Sequence, residues 1–139
     1  MFLLDTDHLT LLFRGSSEGL RVQRRMLSLD PKEVGTTIIT YEEQSRGWLS
    51  VISRAKSAGE QIQAYGRLEN HLDYFRRLMV RGFSAPAAVE FQRLRKSVRI
   101  GTLDLRIASI ALALDATVVS RNRRDFEKVP GLRVEDWSM

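Results

Sequence analysis

Cysteine is absent from the 139 residues of this chain, which excludes thiolate zinc sites, cysteine nucleophiles and disulfide cross-links. That absence suits a reducing compartment. No apolar run is long enough to span a bilayer, and the opening Met1-Phe2-Leu3-Leu4-Asp5 lacks the basic region and long apolar stretch of a secretory signal. A soluble, unprocessed cytoplasmic protein with no membrane partner is the expectation. Internal repeats, linkers and low-complexity tracts are also missing, and a chain of this size buries enough surface to fold without staples. One domain over residues 1–139 is therefore expected.

Positive charge is in excess. The formal net charge is +5 and the pI about 10.1, with Arg far outnumbering Lys. The planar guanidinium fork binds phosphate oxygens in pairs and stacks on bases, so the balance is compatible with a nucleic-acid partner. Biased codon use would produce the same enrichment, and net charge speaks to association, not to fold.

Strand-like and helix-like patterns alternate along the chain. Met1 to Leu4 is a short apolar run ending at Asp5, which reads as a buried parallel strand. A helix follows in which Leu9, Leu12 and Phe13 share a face and Asp5, Thr6 or Asp7 serves as cap. After Gly15, the residues Leu20, Val22, Met26, Leu27 and Leu29 suggest a second helix. Val34 to Ile39 reads as the second strand with Thr40 as the next cap, and Trp48, Leu49, Ile52 and Ala55 recur at helical spacing up to a break at Ala58-Gly59. Tyr65, Leu68, Leu72, Phe75 and Met79 form the most regular helical stripe, read as core or dimer surface. Val80 to Ser84 is a brief strand candidate, and Pro86 suits the first turn of a helix carrying Val89, Phe91 and Leu94. Ile107, Ala108, Ala111 and Leu114 mark the last long helix, before a strand at Ala116 to Ser120, a polar turn at Arg121 to Phe126 and a closing strand at Leu132 to Val134. The pattern predicts an α/β fold, a three-layer α/β/α sandwich around a short parallel sheet.

Three segments carry an acid near a junction between strand and helix: Asp5, Glu43 and Asp104, with Asp125 after the late strand as a fourth. Ligands of open parallel sheets gather outside the carboxyl ends of the strands. Several carboxylates brought to that edge repel one another unless a cation sits among them, and Mg²⁺ and Mn²⁺ prefer such hard oxygen donors. Taken singly, each acid also suits a helix cap or the positive end of a helix dipole. His8 is a poor ligand candidate, since an isolated His beside a helix face is usually surface or satisfied core.

Leu4-Asp5-Thr6-Asp7, Ile39-Thr40-Tyr41-Glu42-Glu43 with Gly47, the run from Ile100 to Ala108, Ala113 to Asn122, and the ending Arg124-Asp125-Phe126 with Val129 to Trp137 together resemble the PIN-domain ribonucleases, within them the VapC-type toxins of toxin–antitoxin pairs. The resemblance spans nearly the whole chain, although Val51 to Ala85 carries no specific motif. It implies Asp5, Glu43, Asp104 and Asp125 as catalytic and metal-holding acids, Mg²⁺ or Mn²⁺ as cofactor, and hydrolysis of an RNA phosphodiester, with tRNA or mRNA as substrate. A homodimer and a small cognate antitoxin are further implications. Asp7 stands where the family usually has Asn, and Glu42 beside Glu43 leaves the choice of glutamate to helix register. Arg121, Asn122, Arg123 and Arg124 are candidates for holding RNA, against the alternative of a solvated basic turn. Ser120 and Asn122 are candidates for positioning the metal or its water.

Two other readings stay open. An RNA- or partner-binding module whose acids only cap helices would preserve the fold without the chemistry. Asp5-Thr6-Asp7 is also similar to the opening of haloacid-dehalogenase-type phosphatases, but no paired Asp-Asp or Gly-Asp motif follows and the Asp104 segment would go unexplained.

Overall fold

The computed structural model describes residues 1–139. Its elements run β1 (Phe2–Leu4), α1 (Thr6–Arg14), α2 (Ser17–Leu27), β2 (Val34–Thr37), α3 (Ile38–Arg54), α4 (Ala58–Phe75), β3 (Val80–Arg81), α5 (Ala85–Leu94), α6 (Thr102–Ala113), β4 (Thr117–Val119), α7 (Arg123–Phe126) and β5 (Arg133–Glu135). The strands form one sheet in the order β3-β2-β1-β4-β5, with every neighbouring pair parallel. Because β1 leads outward to β2 and β3 on one side while β4 and β5 lie on the other, the order reverses between β1 and β4. That seam is where such a sheet opens a crevice.

Alternation along the strands builds the two outer layers. Successive side chains of a strand point to opposite faces, so Leu3 and Val118 join Ile39, Ala87, Leu94, Ile107, Ile110 and Phe126 on one face. Leu4 and Val119 join Leu9, Val22, Phe75 and Trp137 on the other. Helices α5, α6 and α7 thus cover one side and α1, α2 and α4 the second, which is the α/β/α sandwich expected.

Boundaries moved where side chains outcompeted propensity. The second strand stops at Thr37, whose hydroxyl accepts the Thr40 N–H at 3.2 Å, so Thr37 rather than Thr40 is the cap. Ile38 and Ile39 are β-branched, yet Ile39 packs into the core from the helix and tertiary burial decides. Ala58-Gly59 opens α4 instead of breaking the pattern, because Ser57 caps the Glu60 N–H and Glu60 reaches back to the Lys56 N–H. The buried face of α4 is rotated from the predicted stripe: Phe75 is buried as predicted, but Tyr65 and Leu72 are exposed and Ala64 and His71 are buried in their place. His71 is held there by stacking on Tyr41 at 5.2 Å and by pairing its Nε2 with Ser45 Oγ at 2.8 Å. The third strand is only Val80–Arg81, cut short because Ser84 already caps α5 through the Ala87 N–H. Arg121 to Phe126, expected as a turn, contains the short helix α7.

Helices α1 and α2 meet at a glycine. A Cβ on Gly19 would lie 2.2 Å from the Leu11 carbonyl oxygen, whereas one on Gly66 in α4 would meet nothing within 4 Å. Gly19→Ala is expected to destabilise the chain by about 1–3 kcal/mol through forced backbone displacement. Gly66→Ala should stabilise it by about 0.5–1 kcal/mol through helix propensity. Urea unfolding of both variants checks the pair; a Gly19→Ala midpoint at or above that of the wild type would refute the close approach.

Candidate active site

Asp5 sits at the seam. Its backbone N–H continues the ladder by donating to the Val119 carbonyl at 3.0 Å, and its side chain caps α1 by accepting the His8 N–H at 3.0 Å on Oδ1. Ser120, the residue after β4, donates its hydroxyl to Asp5 Oδ2 at 2.5 Å and accepts the Asn122 N–H at 2.9 Å. Both ends of the reversing strand pair therefore converge on one buried carboxylate, 5% exposed.

The other acids arrive on helix starts. Glu43 lies in the second turn of α3, and Thr6, the first residue of α1, donates its hydroxyl to Glu43 Oε2 at 2.5 Å. Glu42 points elsewhere and pairs with Arg46 at 2.5 Å, so that of the two neighbours it is Glu43 that lines the cavity. Asp104 stands in the first turn of α6, whose cap Gly101 offers no side chain. Asn122 donates its amide to Asp104 Oδ2 at 3.3 Å and to Asp125 Oδ2 at 3.1 Å, spanning two carboxylates with one neutral group.

Asp5, Thr6, Asp7, Glu43, Asp104 and Asn122 line one cavity of about 150 Å³ with no apolar residue among them. Asp125 is not in that lining: it stands beside it, tied to Asn122 and to Lys128 at 3.4 Å. None of Asp5, Asp7, Glu43 and Asp104 has a Lys or Arg within 4.0 Å. Asp104 registers the strain of this arrangement, its carboxyl pushed up to about 6 by burial and then by the charges of Asp5, Glu43 and Asp125, against the opposing Asn122 hydrogen bond. Asp125 is moved the other way by the Asn122 amide, with Lys128 adding to the effect.

The donor set is all oxygen and net negative, which fits a hard divalent cation and no softer metal. No three acidic or histidine side chains stand arranged around a common point as an ion cage. The Glu43 head is tied to Thr6 and the Asp104 head to Asn122. Side-chain rotation at those two residues would be needed for common ligation.

The basic candidates separate. Arg123 is held by Glu127 at 2.8 Å as an exposed pair, and neither it nor Arg124 lines the acidic cavity or the one beside it. Arg121 does face the acids' neighbourhood, lining an adjoining cavity of about 530 Å³ with Asp7, Thr10, Leu11, Arg14 and Asn122. Arg14 is a site neighbour that no motif contains, and Thr6 stands within the Leu4-Asp5-Thr6-Asp7 motif without being among its candidate site residues. A signal for Arg14 was present in the helical spacing of Asp7, Thr10 and Arg14, which places them along one stripe.

Three comparisons bear on this geometry. The family model described as PIN domain matches residues 2–132. The chain is 35% identical over 136 residues to the tRNA(fMet)-specific endonuclease VapC of Salmonella typhimurium, a match covering 98% of this chain and 97% of that one. Among solved structures it is similar to VapBC-1 from nontypeable Haemophilus influenzae, with a TM-score of 0.79, 22% identity and coverage of 99% and 98% of the two chains. It is also similar to VapBC2 from Rickettsia felis bound to a DNA fragment from their promoter, with a TM-score of 0.74, 26% identity and 98% coverage of each chain.

The raised Asp104 carboxyl sets a pH dependence. An acid at about 6 when folded and 3.8 ordinarily holds its proton longer in the folded chain. Its ionisation therefore costs stability as pH rises through that interval, and the cost is fully present above the folded value. The depressed Asp125 acts oppositely and at lower pH, its contribution present above its unfolded value and lost as pH falls through its folded one. Without metal, the wild-type melting temperature should fall relative to that of Asp104→Asn between about pH 4 and pH 7. Scanning fluorimetry of the two proteins in EDTA across that range decides it, and parallel curves would contradict the assignment.

Proposed function

The chain belongs to the PIN domain family, and from that premise we propose that it is a metal-dependent endoribonuclease, the toxin of a toxin–antitoxin pair, acting as one domain over residues 1–139. The observation that carries this reading is the cavity of carboxylates at the β1/β4 seam with no basic side chain within 4.0 Å of Asp5, Asp7, Glu43 or Asp104. Asp5, Glu43 and Asp104 would hold Mg²⁺ or Mn²⁺, with Asp125 supporting Asp104 through their shared Asn122 amide. The bound ion would supply a water of lowered pKa and positive charge beside the phosphate oxygens.

The chain's own residues do the rest. Ser120 and the His8 N–H fix the Asp5 carboxylate, while Thr6 and Asn122 hold Glu43 and Asp104 in the cavity lining, from which their side chains would rotate to share an ion. No side chain need act as a covalent nucleophile, because the attacking oxygen comes from water and the phosphodiester P–O bond breaks as the new one forms. Arg14 and Arg121 line the adjoining cavity, where they would grip phosphates of RNA running past the acids. Arg123 and Arg124 are assigned no such role.

Substrate class follows from the same premise. The relative that matches over nearly its whole length is named for a transfer RNA, which makes tRNA the first candidate for this chain. A homodimer in the cytoplasm, inhibited by a small cognate antitoxin, completes the proposal, supported by the family resemblance and by neighbours solved as VapBC.

Purified protein should cut a tRNA pool to discrete fragments with Mg²⁺ or Mn²⁺ and not with EDTA. Asp5→Asn, Glu43→Gln and Asp104→Asn should each lower the rate by at least about 100-fold, on the scale of a lost electrostatic contact in the transition state. Glu42→Gln should stay within about threefold, as expected for loss of an exposed ion pair. Denaturing gels of time courses read all five proteins. Cleavage that persists in EDTA, or in the Asp5 variant, would sink the site; RNA binding without any cleavage would leave a binding module in its place.

A further inference from the structure

His8 is fully buried at 0% exposure, one turn of α1 beyond Asp5, and both of its ring nitrogens face specific partners. Its Nε2 accepts the backbone N–H of Trp137 at 3.2 Å. Its Nδ1 has no hydrogen-bond partner, and the acceptor beside it is Asp5 Oδ1 at 3.4 Å. A backbone N–H has no choice of direction, so in the neutral ring the Nε2 lone pair is claimed by Trp137 and the proton must sit on Nδ1, toward Asp5. Asp136 Oδ1 also lies 3.4 Å from Nε2, but it already accepts the Ser138 N–H at 2.8 Å and the Ser138 hydroxyl at 2.6 Å. The competing arrangement, with Nε2–H aimed at Asp136, would leave Trp137 N–H facing another donor.

We propose that His8 is a positioning residue for Asp5, its tautomer selected by the C-terminal segment after β5, so that residues Asp136 to Ser138 form part of the active site. The inference rests on the metal-holding role proposed for Asp5. A buried donor without a partner is costly unless something uses it, and the carboxylate 3.4 Å away is the group it faces. Oδ1 already takes the His8 N–H and Oδ2 the Ser120 hydroxyl. A third donor to the carboxylate, the second on Oδ1, would pin its plane, much as outer donors orient the ligands of metal sites. The tail is itself firmly anchored, since Trp137 packs on Phe2 at 5.1 Å between ring centroids and Arg21 Nε donates to the Ser138 carbonyl at 2.7 Å.

The test uses the full chain and two readouts besides cleavage. Nitrogen-15 NMR of the imidazoles is simple to assign, since there are two histidines and a His71→Gln variant removes the other signal. The Nδ1–H tautomer of His8 is expected, with Nε2 as the acceptor of the Trp137 N–H. In Mn²⁺ calorimetry without RNA, His8→Leu should weaken binding by about tenfold or more, the usual cost of losing an outer donor. His8→Asn should restore most of it, because the Asn amide reaches the Nδ1 position while neither variant offers Trp137 an acceptor. In cleavage, His8→Leu should lower kcat and leave KM for RNA unchanged. An Nε2–H tautomer, or a folded His8→Leu protein that binds Mn²⁺ like the wild type, would overturn the proposal. Should the wild type itself bind no Mn²⁺, the metal reading fails, and the observed tautomer alone then decides the His8 assignment.

Discussion

Like-charge repulsion among carboxylates in a cavity of about 150 Å³ is the constraint around which this molecule is built. Two ionised groups a few ångströms apart in a partly buried setting cost far more than the same pair in water. A fold that gathers Asp5, Glu43 and Asp104 must therefore supply either protons, basic side chains or an external cation. Basic side chains are withheld from the cavity: the Lys and Arg partners of Glu42, Asp125 and Glu127 all lie outside its lining. What surrounds the acids instead is a set of neutral donors, the hydroxyls of Thr6 and Ser120, the amide of Asn122 and the His8 N–H. Neutral donors orient a carboxylate without cancelling its charge, and that preserves the demand for a cation.

The sheet order explains how these groups come to one place. Residue 5 follows β1 and residue 120 follows β4, and because those strands are adjacent and parallel their carboxyl ends open side by side. Loop polar groups there are not shut between hydrogen-bonded neighbours, as they would be inside the ladder. Helices α3 and α6 then point their N-terminal ends at the same edge, bringing Glu43 and Asp104 in from segments far apart along the chain. The apolar halves of the same elements, Ile39 on α3 and Leu105, Ile107 and Ala108 on α6, anchor them in the core beneath. Charge at the rim is thus held in position by burial below it.

What could be read from the residues alone follows the range of the interactions involved. The parallel α/β architecture was legible because period-two and period-3.6 patterns alternate, and Asp5 was legible because a strand end and a helix cap coincide in adjacent residues. Thr37 as cap was not, since Ile38 and Ile39 favour a strand until the burial of Ile39 from the helix is known. The rotation of α4 was hidden for the same reason: His71 belongs to the core only through Tyr41 and Ser45, residues of another helix. Glu42 and Glu43 were indistinguishable as neighbours, and one step along the helix separates an exposed ion pair with Arg46 from a place in the cavity. His8 shows the limit most sharply. An isolated His on an apolar helix face is a reasonable core residue, and its relation to the site depends on Trp137, 129 positions away in sequence.

The distribution of charge around the cavity also bears on how a polyanion would meet it. An acidic pocket alone repels RNA, so a carboxylate nuclease needs positive charge close enough to hold phosphates yet too far to pair with its ligands. Arg14 and Arg121 meet both conditions: they share a cavity wall with Asp7 and Asn122, and neither forms an ion pair with any acid. Arg123, by contrast, commits its guanidinium to Glu127. A planar fork can take two phosphate oxygens at once and so fix the register of the strand as well as its proximity. Asp7 lines both the acidic and the basic cavity and adds a carboxylate to the wall they share.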